Sequence, residues 1–76
     1  MQNTDTRSVV AANVARLLDG RPQKWLADRV DVSEMYLSRR MRGQAEWSAD
    51  DLVRLSEVLV TSPTELVTPV DEAASA

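Results

Sequence analysis

The sequence predicts an all-α fold, a compact bundle of five short helices. Three observations predict it. Apolar residues recur three and four positions apart through most of the chain, as in Val10, Val14, Leu17 and Leu18 or Leu52, Leu55, Val58 and Leu59. No run alternates apolar and polar residues as a half-buried strand would. Ser, Pro and Gly fall between the periodic segments at places where helices start and stop. With 76 residues the chain is expected to be one domain over 1–76, its ordered core about 6–68 and residues 69–76 an acidic, fraying tail.

The first helix is expected from Thr6 to Leu18, with Gly20 as its stop, because glycine adopts the left-handed geometry that ends helices. The second begins near Pro22, whose missing N–H has no partner to lose in a first turn. It carries Trp25, Leu26, Ala27 and Val30 until Asp31 and Val32 interrupt. Ser33 is a good N-cap for a third helix, since its hydroxyl can accept an otherwise unpaired backbone N–H. That helix runs to Met41 and Gly43 ends it. Residues 44–47 form a loop. Ser48-Ala49-Asp50-Asp51 reads as a capping box with Asp in place of Glu, opening a fourth helix with Leu52, Leu55, Val58 and Leu59 inside. Ser62-Pro63-Thr64-Glu65 repeats that logic and opens a short fifth helix to about Val67, before Pro69.

Inventory excludes several chemistries. There is no Cys and no His, so thiolate nucleophiles, histidine acid–base catalysis and zinc sites built on those ligands are out. Absent cysteines suit a reducing cytoplasm. No apolar run reaches membrane-spanning length, and MQNTDTR lacks the pattern of a signal peptide. No cofactor or metal is implied. An enzyme is the least favoured class, because carboxylates are present without His, Cys or a glycine-rich loop.

The net charge of −3 is unevenly spread. Residues 1–20 balance. Residues 21–47 carry Arg21, Lys24, Arg29, Arg39, Arg40 and Arg42 against Asp28, Asp31, Glu34 and Glu46. Residues 48–76 set Arg54 against Asp50, Asp51, Glu57, Glu65, Asp71 and Glu72. The cations gather in the middle, and local distribution matters more than the total to a phosphate. The link between the second and third helices is too short to fold them back antiparallel. It forces a steep crossing, the helix-turn-helix geometry, and leaves one flank of the third helix open. Leu37 and Met41 face inward together, while Glu34, Met35, Ser38, Arg39 and Arg42 lie on other faces. A helix flank bearing Arg and hydroxyls can read base edges and clamp phosphates.

These residues resemble a known family. Asn13-Val14-Ala15-Arg16-Leu17, Gln23-x-x-Leu26-Ala27, Val30-x-Val32-Ser33, Leu37-Ser38-Arg39, Gly43, Leu52-x-x-Leu55-x-x-x-Leu59 and the closing Val60-Thr61-Ser62-Pro63-Thr64-Glu65-Leu66 are similar, in order and spacing, to Cro/repressor-type helix-turn-helix domains. The resemblance covers residues 9–66. It implies a lambda-repressor-like fold and a sequence-specific DNA-binding transcriptional regulator, of the phage Cro or minimal-repressor kind, with helix 33–41 in the major groove.

The same resemblance implies roles. Glu34, Met35, Ser38 and Arg39 occupy the positions that reach base edges, with Arg39 suited to guanine, Glu34 to a cytosine amine and Met35 to a thymine methyl. Gln23, Ser33, Tyr36, Arg40 and Arg42 are expected at phosphates. The partner is a double-stranded operator, palindromic and bound by a homodimer with half-sites ~34 Å apart. Val60, Leu66, Val67 and Val70 are the expected dimer contacts. A single small domain leaves regulation to concentration, dimerisation and turnover, in the bacterial cytoplasm at the nucleoid. The chain departs from the family in three ways: residues 48–76 are more acidic than a strong DNA binder would have, and two places in the sequence differ. Asp31 stands where Gly is usual at the turn, and Asp tolerates that conformation. Arg40-Met41 replaces an apolar residue and Glu, so Met41 is expected inside and Arg40 outside.

Plainer roles compete. The arginines also suit a solvated face, and Met35 and Tyr36 suit core or subunit contacts. Trp25 reads as packing, Trp47 as a plug against the bundle, and Asn13 as a structural hydrogen-bonder. The rival function is a helical protein-interaction module, an antitoxin-like or adaptor subunit, which the acidic balance favours.

Overall fold

Helix α1 (Thr6–Leu18) begins where the Asp5 carboxylate accepts from the Arg7 N–H at 3.3 Å. A computed structural model describes residues 5–70, so residues 71–76 of the expected acidic tail lie outside the described part. Val10, Val14 and Leu18 form the buried stripe of α1, with Leu17 packed at its edge. Asp19, not Gly20, takes the left-handed capping position at φ 53°, and Gly20 follows at φ 87°. The last carbonyls of α1 are claimed by Arg21, whose guanidinium donates to Leu18 O at 2.8 Å and Leu17 O at 3.0 Å.

Helix α2 (Gln23–Arg29) starts one residue later than expected. Pro22 is its N-cap, held extended at ψ 153°. Leu26 and Ala27 point into the core with Val30 behind them. Trp25 packs against the core edge between two guanidiniums, Arg21 at 4.2 Å and Arg29 at 5.0 Å from its ring centroid.

The corner follows at once. Asp31 sits at φ 62°, the left-handed conformation that short polar side chains accept at least cost after glycine. Ser33 then caps α3 (Glu34–Met41), its hydroxyl accepting from Tyr36 N at 3.0 Å. Gly43, at φ 76°, closes α3: its N–H donates to Arg40 O and the Gln44 N–H to Arg39 O. That pair of bonds is the Schellman pattern, and it needs the positive φ.

The capping box at Ser48 opens α4 (Ala49–Leu59). Ser48 Oγ accepts from Asp51 N at 3.0 Å, and the Asp51 carboxylate accepts from Ser48 N at 2.9 Å. Leu55 and Leu59 are buried, with Leu52 and Val58 flanking them. Val60 ends α4 in the left-handed region at φ 57°. This is a costly place for a β-branched residue. Ser62 and Pro63 start α5 (Pro63–Leu66), a single turn whose Leu66 is fully buried. The described residues contain no strand.

Among the described residues the ten buried apolar side chains come from every helix and form one core. Asn13 is buried among them. Its side-chain amide donates to Glu65 O at 3.2 Å, Leu66 O at 2.8 Å and Thr68 O at 3.0 Å, tying α1 to the end of α5. Trp47 also plugs the bundle, its indole N–H donating to Arg7 O at 3.2 Å.

Candidate nucleic-acid interface

The Asp31 corner joins α2 to α3, and Gln23 at the start of α2 lies beside the open flank of α3. Gln23, Glu34, Met35, Ser38 and Arg42 line one open depression there. Met35 is 73% exposed, and Glu34, Arg39 and Arg42 are exposed as well. Leu37 is the one fully inward residue of α3, with Met41 packed beside the core. Among the described residues no carboxylate pairs with Arg39 or Arg42; the ion pairs take Arg7, Lys24, Arg40 and Arg54 instead. Two cations on one helix flank are therefore uncommitted. Ser33 is exposed at the opposite end of α3, and its oxygen is engaged as the cap, which leaves its O–H proton available to an acceptor.

Two residues expected at phosphates face elsewhere. Arg40 does not turn outward: its side chain is 18% exposed, and its Nε lies 3.2 Å from Asp51 Oδ2. That N–H is too misaligned for a hydrogen bond, so the pair is held by charge. The guanidinium carbon stacks 3.6 Å from the centroid of the Tyr36 ring, and Nη1 donates to Tyr36 O at 3.4 Å. The reason is physical. A nearby buried carboxylate and an aromatic face together offer a guanidinium more than solvent does. Tyr36 itself donates its hydroxyl to Asp51, 3.0 Å from Oδ1 and 3.1 Å from Oδ2. Desolvation, then the hydrogen bond to Asp51, holds the Tyr36 phenol above its ordinary pKa. The sequence carried part of this trio, without the direction in which Arg40 turns. Tyr36 and Arg40 are four apart on one helix, and Asp51 was already placed at the N-terminus of the next.

A third correction concerns Leu66. It is spent in the core, held there by the turn of α5, and offers no surface to a second subunit. Val60, Val67 and Val70 are exposed. Val60 and Val70 share a second depression with Leu17 and Pro69, on the α1–α5 side of the molecule.

Comparison with known proteins agrees with this geometry. A family model for the helix-turn-helix matches residues 14–66. A protein of Sinorhizobium fredii (strain NBRC 101917 / NGR234), named as an uncharacterized HTH-type transcriptional regulator, is 39% identical over 70 residues, which span 90% of this chain and 91% of that protein. The crystal structure of a hypothetical transcription factor from Neisseria superimposes with a TM-score of 0.86 at 20% identity, covering 99% of this chain and 90% of that one. At that identity the superposition speaks for the fold. The chain belongs to the Cro/repressor-type helix-turn-helix family, a family of DNA-binding transcriptional regulators.

Proposed function

We propose that this protein is a sequence-specific DNA-binding regulator of the phage Cro or minimal-repressor kind, and that α3 enters the major groove. The observation that carries the proposal is the shared depression of Gln23, Glu34, Met35, Ser38 and Arg42, flanked by uncommitted Arg39. Arg39 is assigned to guanine, Glu34 to a cytosine amine, Met35 to a thymine methyl and Ser38 to either base edge. Gln23, Ser33 and Arg42 are assigned to phosphates, which fix register without reading sequence. The protein acts wherever duplex DNA is accessible, which for a bacterial regulator is the nucleoid.

A homodimer on a palindromic operator completes this reading. Val60, Val67 and Val70 supply apolar surface away from α3, so two copies can pair without covering their groove surfaces. Half-sites would then lie ~34 Å apart.

Selection from a random DNA pool, followed by salt titration, tests the reading. Arg39→Ala should lower preference for the selected sequence by about tenfold or more, because a bidentate guanine contact is worth ~1–3 kcal/mol. Arg42→Ala should weaken binding to all duplexes and reduce the salt slope by about one. If neither variant changes binding to any duplex, the groove assignment is wrong.

The rival, a protein-interaction module, is favoured by the net charge of −3 and by Val60, which is 90% exposed. Retention on duplex DNA at low salt separates the two, since a module that binds only protein flows through.

A further inference from the structure

The positioning of α3 is the open mechanical question. Its start is fixed by the Asp31 corner and the Ser33 cap. Beyond that, its apolar anchorage is Leu37, fully buried, and Met41, partly so. Both lie on one side of the helix, and two side chains on one stripe resist translation better than rotation about the helix axis. The segment after Gly43 has no regular structure until α4 begins at Ala49. Besides Leu37, which shares the core with Leu55 and Leu59, what ties the middle of α3 to the next helix is polar. Asp51 is fixed to its own helix start by the Ser48 N–H at 2.9 Å, and it receives the Tyr36 hydroxyl and the Arg40 charge from α3. The Arg40 guanidinium is braced in turn by the Tyr36 ring and carbonyl.

Rotation is what base reading cannot tolerate. A roll of ~20° moves an atom ~6 Å from the helix axis by ~2 Å. Contacts to base edges hold only within ~0.5 Å and ~10–20° of their best geometry. Met35 and Arg39 neighbour the two clamp residues directly, so any roll of Tyr36 and Arg40 moves them.

We propose that Arg40, Tyr36 and Asp51 are positioning residues that set the roll of α3, and so the protein's discrimination between DNA sequences, without touching DNA. This rests on the DNA-reading role proposed above for α3. It assigns to Arg40 a function opposite in direction to a phosphate contact, and the two make different predictions.

The test uses Arg40→Met, Asp51→Asn, their combination and Arg40→Lys, each measured on the selected duplex and a random duplex over a range of salt. Arg40→Met should lower preference for the selected duplex by about tenfold, the cost of one displaced base contact, while random-duplex affinity stays within about twofold and the salt slope is unchanged. Asp51→Asn, which keeps shape and a capping oxygen, should also lose preference, and the double variant should lose no more than the worse single. Arg40→Lys should recover part of the preference, because an ammonium can still pair with Asp51. Equal weakening on both duplexes with a slope reduced by about one would make Arg40 a phosphate contact and overturn the proposal. Additive losses in the double variant would overturn it too.

A second measurement needs no DNA. Residual dipolar couplings of the α3 amides in Arg40→Met and Asp51→Asn should show α3 rotated against an unchanged frame of α1, α4 and α5. An α3 unmoved in both variants overturns the proposal. If the wild-type protein selects no sequence from the pool, the DNA-reading role of α3 falls, and these couplings still decide whether the clamp sets the helix.

Discussion

Replacing Asn13 tests how the bundle is closed. Its amide has two protons facing three carbonyl oxygens, those of Glu65, Leu66 and Thr68. The Leu66 bond is buried, while the other two lie where water can reach. In Asn13→Ala the Leu66 carbonyl is left without a donor, which costs about 1–3 kcal/mol, and two partly wet bonds are lost at about 0.5–1 kcal/mol each. The total is about 2–5 kcal/mol. For a domain of this size each kcal/mol moves the midpoint by about 4–8 °C, so the variant should melt roughly 10–40 °C below wild type. Asn13→Asp sharpens the argument. It has nearly the same volume but turns acceptors toward acceptors and buries a charge, so it should be less stable than Asn13→Ala. Thermal unfolding followed by circular dichroism at two protein concentrations measures both. If Asn13→Ala melts within a few degrees of wild type, or Asn13→Asp is the more stable of the pair, the amide does not close the bundle.

Other perturbations follow from the same structure. Val60→Asn should raise stability by about 1 kcal/mol in urea unfolding, because it relieves a β-branched residue at φ 57°; a loss of stability at low protein concentration contradicts that. If Val60 also meets a second subunit, the same variant should shift sedimentation toward monomer. The Tyr36 phenol has a raised pKa in the folded protein, so folding favours its neutral form. Its contribution is fully present below the unfolded value of 10.0 and is lost as pH rises through the folded value. Urea midpoints should therefore fall more steeply above pH ~10 in wild type than in Tyr36→Phe, and parallel curves would contradict the assignment.

Most of the fold was legible because its signals are local. The Ser33, Ser48 and Ser62 caps each satisfy a backbone N–H three residues on, and each appears where its spacing placed it. The helical periodicities picked out Val10, Val14, Leu37, Leu55 and Leu59, all buried. Arg40 was misread because its partner, Asp51, belongs to another helix, and no pattern within α3 reports which way a long side chain turns. Leu66 was misread for a similar reason. A single-turn helix has too few residues to display a periodic face, so its inward side emerges only when α1 and α5 are packed together. Val60 was expected at a dimer contact, but its left-handed backbone leaves no trace in composition, since valine is the residue least suited to announce it.

The Asn13 bonds join groups 52, 53 and 55 residues apart in sequence. The proposed reading surface, by contrast, lies between Gln23 and Arg42. A nascent chain leaving the ribosome has therefore finished its reading surface well before it owns the clasp that holds the bundle shut. Until residue 68 has emerged, the Asn13 amide lacks the carbonyls it is buried against, and α1 is not yet tied to the end of α5.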